Sequence, residues 1–503
     1  MKQKSKEVLE FNKIIDRIAE FAETENGKKE IRKLDISSDI ETVIYHQKQT
    51  AEALAINIEK GTPPLGGVSD VKEYVRRGAI GGIISMRGLL SCADTLRAAR
   101  LMKNYVLLNN KEERSYEILE ELCQNIYANK NIEDKIYEII ISEEEIADDA
   151  SPELKRIRRS IQIKNTAIKN KINSIVNSPG TQKYLQESIV TMRNDRYVVP
   201  VRKEYRGMIK GIMHDQSSTG STIFIEPIAI VEMNNEVSNL KIDEKKEVER
   251  ILQELSGIIG SIESEMLLNQ DILTQLDFIF AKGKYAISVN GIEPKINDRG
   301  YIRIKNGRHP LIDPKIVVPI NVRIGDEFTT LIITGPNTGG KTVALKTLGL
   351  FSLMGMAGLH IPAEYGTEIS LFNGVYADIG DEQSIEQSLS TFSSHMTNIV
   401  KIMKEIDDNS FVLFDELGAG TDPVEGAALA ISILDTLHDR KIITAATTHY
   451  SELKLYALTT EGVCNGSVEF NVETLSPTYK LLIGVPGKSN AFEISKKLGL
   501  SES

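Results

Sequence analysis

The chain carries Gly335-Pro336-Asn337-Thr338-Gly339-Gly340-Lys341-Thr342, a complete G-x4-G-K-[ST] pattern, between the apolar run Leu331-Ile-Ile-Thr334 and a stretch of helical period. Little else in the sequence constrains the fold as strongly. Glycines at these spacings let backbone N–H groups close on phosphate oxygens, and a helix starting at the loop adds the positive potential of its N-terminus. Lys341 then reaches the β- and γ-phosphates, and the Thr342 hydroxyl is the group that holds Mg2+. This chemistry needs a strand running into the loop and a helix leaving it. Around the loop, apolar runs at 329–334, 374–379, 410–414 and 442–447 alternate with helical stretches at 340–356, 393–406 and 424–437. Such alternation predicts a mostly parallel sheet with helices packed on it.

Two further sites follow from the same expectation. Phe411-Val-Leu-Phe414 is an apolar strand ending in Asp415-Glu416. A triphosphate with Mg2+ needs one acid at a strand end to hold the metal's water shell and a second to orient or deprotonate the attacking water. Asp415 suits the first role and Glu416 the second. The apolar run 442–448 ends in His449, and ligands sit outside the carboxyl ends of strands in such sheets, so His449 is placed to reach a γ-phosphate.

The remainder of the chain reads differently. Residues 8–21, 40–58 and 89–107 repeat apolar positions at helical spacing. The stretch 151–177 opens Ser151-Pro152-Glu153 and stops at Ser178-Pro179-Gly180, which predicts one helix capped by Ser151. Short β-rich runs at 189–192, 197–201, 208–213 and 222–225 predict a small antiparallel sheet. From 227 to about 290 the helical pattern returns, dense in Glu and Lys; it makes either one long rod or a rod bent at Gly257 or Gly260. The division expected is a helical core or lever over 1–150, long-helix arms over 151–293 bearing a β-hairpin clamp at about 185–228, and an α/β nucleotide-binding domain over 294–503. A helical domain with an inserted hairpin fits the periodicity of the arms equally well.

Charge sharpens this picture. The chain has 503 residues and a net charge of −11, which excludes bulk coating of nucleic acid but leaves room for a local basic patch. Residues 151–210 hold 14 Lys and Arg against 4 acids, a net of +10, so the rest carries −21. Arg156, Arg158 and Arg159 on the helix, with Arg193, Arg196, Arg202, Lys203, Arg206 and Lys210 around the hairpins, are candidates to meet phosphates. Such contacts position a protein on a polyanion without reading sequence, and suit DNA and RNA alike; the bland alternative is a solvated helix face. Three dispersed cysteines without a CxxC pair argue against disulfides and a thiolate metal site. The N-terminus lacks a secretory apolar core, and no apolar run reaches the roughly 20 residues that span a bilayer. A cytoplasmic protein with no membrane partner is expected.

These motifs together resemble the ATPase domain of the MutS family, which belongs to the ABC-type ATPases. The resemblance rests on the Gly-Pro-Asn-x-Gly-Gly-Lys loop, Asp415-Glu-Leu-Gly418-Ala-Gly420-Thr421-Asp422, Thr-Thr-His449, Ser388-Leu-Ser390-Thr391-Phe392 and Gly307-Arg-His-Pro310. Arg193-Asn-Asp-Arg-Tyr197, His214-Asp-Gln216 and Phe224-Ile-Glu-Pro227 bring it close to the bacterial paralogue branch called MutS-two. The resemblance implies ATP and Mg2+ as cofactors and a homodimer through the ATPase domains. It implies that Ser390 and Thr391 donate to the partner subunit's γ-phosphate, and that His309 lies near the nucleotide. It also implies a target of branched DNA, in suppressing recombination, or of rRNA in stalled and collided ribosomes that are split for rescue. Phe11-Asn-Lys is not the family's Phe-x-Glu wedge, so mismatch recognition is not expected, and the branch's Smr nuclease activity is not expected of these residues. The rival reading, a coiled-coil structural ATPase tethering chromosomal DNA, predicts very long unbroken heptads and a split ATPase head, and neither is found.

Overall fold

Strand Thr330–Thr334, buried at every position, runs into the glycine loop, and helix Lys341–Met356 leaves it. This arrangement is seen in a computed structural model that describes residues 3–108, 116–336, 339–380, 388–471, 474 and 476–487, with no side-chain description for Gln3 and 388–391. The chain divides into two compact units, each assembled from separate stretches. The first comprises Met1–Gly66, Met102–Asn125 and Ile272–Ser503; the second comprises Gly67–Leu101 and Ile126–Asp271.

The first unit is organised by a six-stranded sheet in the order Gly374–Asp378, Ser410–Phe414, Ile443–Thr448, Thr330–Thr334, Val463–Asn471, Ser476–Ile483. The first five are parallel, as the alternation predicted, and the last turns back antiparallel on its neighbour. Strands 410–414 and 443–448 are buried throughout, which is why they read as unbroken apolar runs rather than alternating ones. One face packs against Leu345, Leu348 and Phe351 of the helix after the glycine loop, in a core that also holds Phe11, Ile14, Ile15 and Ile18 of helix Phe11–Glu20. The opposite face is covered by Ile399 and Ile402 of helix Ser388–Glu405 and by Ala427, Ala430 and Leu434 of helix Pro423–Asp439. A second sheet, in the order Lys295–Asn297, Glu368–Ser370, Ile302–Gly307, Ile320–Ile324, escapes the sequence reading because its strands are short and far apart in the chain.

In the second unit the helix expected at 151–177 is found at Pro152–Val176, with Pro at its start and the Ser151 hydroxyl accepting the Leu154 N–H at 3.0 Å. It lies antiparallel to helix Ile228–Gly260, stitched by Ser151–Glu247, Arg158–Glu244 and Lys164–Glu236. The small sheet is present, antiparallel, in the order Thr191–Arg193, Arg196–Arg202, Thr222–Pro227, Gly211–Gln216. Its inner face (Val199, Val201, Ile223, Ile225) shares a core with Ile168, Ile172, Ile230 and Val237 of the two helices.

The helical run from 227 to 290 is not one rod but breaks at the candidate bend Gly260: helix Ile228–Gly260 stops and, after two residues, helix Glu263–Ser288 begins. A close crossing lies at the break. Gly260 abuts the backbone of Gly78, where a Cβ would come within 2.4 Å of Gly78 C, and the chain beyond it tightens, Ile262 N–H bonding Ile259 O.

Candidate nucleotide site

The glycine loop owes its shape to residues without side chains. Gly335 has φ +138° and Gly340 φ +89°, values that penalise any Cβ. A Cβ on Gly335 or on Gly339 would also strike Val468, at 2.5 and 2.6 Å. Lys341 is buried, and its Nζ donates to Gly335 O at 2.8 Å, folding the lysine back over the loop. Asn337 and Thr338 lie outside the described residues.

Strand order decides which acid meets the loop. Strand 443–448 lies between the loop strand and strand 410–414, so the position after Phe414 stands opposite Thr447. There the Thr342 hydroxyl donates to Asp415 Oδ2 at 2.7 Å, and the Thr447 hydroxyl donates to Asp415 Oδ1. Both oxygens of this buried carboxylate are therefore fixed, one by the loop and one by the intervening strand. Glu416 follows with φ +48°, a left-handed conformation that a side chain adopts at a cost, and its N–H donates to Thr447 Oγ1 at 2.8 Å. The next turn is secured by Leu417 N–H to Thr447 O and by the Tyr450 hydroxyl to Gly418 O at 2.9 Å. His449 is exposed at its strand end, its ring 4.3 Å from that of Tyr450.

Thr342 and Asp415 thus meet although strand 443–448 separates the loop strand from strand 410–414, with Lys341 next to the one and Glu416 next to the other in the chain. A hydroxyl bonded to a carboxylate is the pair that divides one Mg2+ with nucleotide phosphates. Among the described residues no group of three or more His, Cys, Asp or Glu is placed to hold a metal by itself. The residues present fit an ion that arrives with its nucleotide.

His309 lines a cleft of about 560 Å³ together with Thr342, Val343 and Lys346 of the loop helix and Glu10, Lys13 and Arg17 from the start of the chain. Burial pushes the His309 pKa down to about 4, so its ring is neutral at pH 7. Its Nδ1 accepts the Leu311 N–H at 3.3 Å, which leaves the proton on Nε2. Glu10 faces the cleft from a left-handed backbone, φ +60°. Burial works to raise its pKa, but the Lys13 hydrogen bond and the nearby Lys346 ammonium outweigh this and hold the carboxyl below the usual range. Ser390 and Thr391 fall in the first turn of helix Ser388–Glu405, and their side chains lie outside the described residues.

Two participants were missed from sequence. Thr447 sits within a motif quoted above but had no role. Tyr479 sits on the last strand, 49% exposed, with φ +60° and its ring edge where a Cβ on Gly340 would come within 2.9 Å. An exposed aromatic at a helix-opening glycine was a signal, but only the sheet order brings it there.

The basic residues of the second unit separate into two groups. Arg156 pairs with Glu153, Arg158 with Glu244 and Asp148, and Arg193 with Asp215 while lying 4.1 Å above the Phe224 ring. Arg196 binds the fully buried Glu226, which also receives His214 and Asn234. Arg159, Arg202, Lys203, Arg206 and Lys210 are exposed.

A glycine loop, a buried strand-end acid bonded to it and a second acid beside that define a P-loop nucleotide-binding protein of α/β type. Comparison with known proteins places it more narrowly. The model of MutS domain V matches residues 331–503. The chain is 57% identical over its whole length to the endonuclease MutS2 of Alkaliphilus oremlandii and 55% identical to that of Clostridioides difficile, covering 63% of each relative. It is 56% identical to the MutS2 of Acetivibrio thermocellus over 99% of the chain and 63% of that protein. The chain is similar to MutS2 proteins along its whole length and to MutS domain V over 331–503, and it spans a little under two thirds of the length of these relatives.

Proposed function

We infer that the protein hydrolyses ATP as a homodimeric clamp on nucleic acid. The observation that carries the hydrolytic part is the bond between Thr342 and Asp415, which joins phosphate loop and strand-end acid before any ligand arrives. In this reading ATP and Mg2+ occupy the loop. The ion is held by Thr342 and Asp415, and it supplies charge neutralisation at the transferred phosphoryl group. Lys341 leaves Gly335 O for the β- and γ-phosphates. Glu416 orients and deprotonates the attacking water, His449 stands beside the γ-phosphate, and Tyr479 offers a flat face for the base next to Gly340. Ser390 and Thr391 act on the partner subunit's nucleotide.

Residues 151–293 act as arms carrying the small sheet as a clamp, with 1–150 as core and lever and 294–503 as the ATPase domain. Supporting this is the helix pair 152–176 and 228–260, which shares one core with the sheet. The exposed cations Arg159, Arg202, Lys203, Arg206 and Lys210 are the better phosphate contacts, because Arg158 and Arg196 are already committed to internal carboxylates. The target is branched DNA or rRNA in a stalled ribosome, in the cytoplasm. Among the described residues no helix is long and apolar enough to cross a membrane.

The test is ATPase stimulation by four-way DNA junctions and by stalled ribosomes at one fixed salt concentration, since phosphate-driven binding depends steeply on salt. Stimulation by either identifies the target; stimulation by neither refutes the nucleic-acid part. A tether of chromosomal DNA built as an unbroken coiled coil is disfavoured by the interruption at 261–262.

A further inference from the structure

Asp378 ends strand Gly374–Asp378, beside the strand that ends in Asp415, and is 6% exposed. Its backbone oxygen accepts the Asp415 N–H at 2.9 Å. Its carboxylate is divided between two side chains of one helix: His395 Nδ1 donates to Oδ2 at 2.7 Å, and Asn398 Nδ2 to Oδ1 at 2.7 Å. Both donors lie on helix Ser388–Glu405, three residues apart and so on one face. The far end of that helix is tied to the same strand, Tyr376 Oη donating to Glu405 O at 3.2 Å. Ile399 and Ile402 pack into the core beside Phe414. The helix is thus pinned to the strand by a buried carboxylate at its middle and by a tyrosine at its end.

This carboxylate makes none of the contacts assigned to nucleotide, yet the backbone oxygen of the same residue takes the Asp415 N–H, and His395 lies only four and five residues along the helix from Thr391 and Ser390. A buried acid with both oxygens on one helix holds that helix in a single position, and hydrogen bonds to a carboxylate are among the stronger ones. The bond from Asp378 also raises the His395 pKa, which favours the charged imidazolium that binds it best.

Resting on the ATPase reading above, we propose that the Asp378–His395–Asn398 clamp is a positioning device that couples the two nucleotide sites of a dimer. It locks the helix bearing Ser390 and Thr391 to the strand end that holds Asp415, so that occupation of one subunit's phosphate loop sets the segment acting on its partner's nucleotide. The path runs from Thr342 to Asp415, through its N–H to Asp378, and through His395 and Asn398 to the helix.

The test uses the chain as it is, by phosphate release and by equilibrium binding of a fluorescent ATP analogue. His395→Ala is expected to lower kcat at least 10-fold while changing nucleotide affinity less than threefold, because no residue of its own loop is altered. His395→Asn, which returns a donor at the Nδ1 position, is expected to recover most of the rate. Mixed dimers place the effect. Glu416→Ala, which still binds ATP, paired with His395→Ala leaves one hydrolysing loop facing an intact helix on an occupied subunit and should turn over faster than the reverse pairing. The double variant His395→Ala/Glu416→Ala paired with wild type leaves a hydrolysing loop facing a damaged helix and should be slow. Equal rates in the two mixed dimers, or His395→Ala at wild-type kcat, overturn the proposal. So does a loss in both His395 variants that only follows loss of folded protein by thermal melting. Failure of the ATPase reading itself would appear separately, as absence of Lys341-dependent turnover in the wild-type chain.

Discussion

Replacing Thr447 by Val removes one hydroxyl and keeps the side chain's shape, in a strand position with no exposure. That hydroxyl makes two bonds: it donates to Asp415 Oδ1 and accepts the Glu416 N–H at 2.8 Å. Losing the first frees one oxygen of the carboxylate assigned to the metal, and a hydrogen bond to a charged group contributes about 1.5–3 kcal/mol. Losing the second leaves a backbone N–H without its acceptor beside a residue held at φ +48°, at a cost of about 1–3 kcal/mol. The valine cannot relax the site by collapse, because it fills the same volume. Groups that orient a metal's ligands lower activity or metal affinity about 10–100-fold when removed. Thr447→Val should therefore reduce kcat, or raise the Mg2+ concentration for half-maximal turnover, by a factor in that range, while Thr447→Ser stays close to wild type. Phosphate release titrated with Mg2+ reads both quantities. A Thr447→Val protein within twofold of wild type in kcat and in Mg2+ dependence would refute the claim that this hydroxyl holds Asp415 for the metal.

Other outcomes follow from the same structure. Glu226→Ala strands Arg196 and His214 in the second unit and should destabilise that unit by about 3–5 kcal/mol, seen as lost amide-exchange protection across the small sheet and helix 228–260. Gly340→Ala meets both a left-handed φ of +89° and the Tyr479 ring, so beyond the roughly 1–2 kcal/mol of backbone strain it should weaken ATP binding measurably by calorimetry. Lys282 is fully buried and its Nζ has no hydrogen-bond partner, so burial pulls its pKa down to about 7 from 10.5. Between those values the unfolded chain binds a proton that the folded chain lacks, and stability should rise with pH from 7 towards 10. Lys282→Met should raise the melting temperature at pH 7 and flatten that rise.

The parts of the site that could be read from sequence are those encoded in neighbouring residues. The loop 335–342 and the pair Asp415-Glu416 declare themselves because phosphate and metal chemistry need particular residue types within a few positions of a strand end. Their meeting could not be read, because it depends on strand 443–448 lying between them, a pairing set by packing. For the same reason Thr447 and Asp378 had no visible role: Thr447 acts on Asp415, 32 positions away, and Asp378 on His395 and Asn398, 17 and 20 positions away. Helix Pro152–Val176 was predictable from its cap and its proline, and Gly260 was readable as a candidate bend, whereas the close approach of Gly78 there is visible only in the fold. The charge of 151–210 points to a segment that carries exposed cations, but not to which of its basic residues pair internally. Arg158 and Arg196 find acids dozens of positions away in the chain, and only the fold brings those acids near.

The central claim, that this site hydrolyses ATP by the action of Glu416 on water, is tested most directly by one pair of readings on Glu416→Ala: equilibrium ATP binding and steady-state phosphate release. The account predicts binding within a few-fold of wild type, phosphate release reduced to near background, and a dimer trapped with ATP bound, whereas Lys341→Ala loses binding altogether. Phosphate release by Glu416→Ala at the wild-type rate would contradict it.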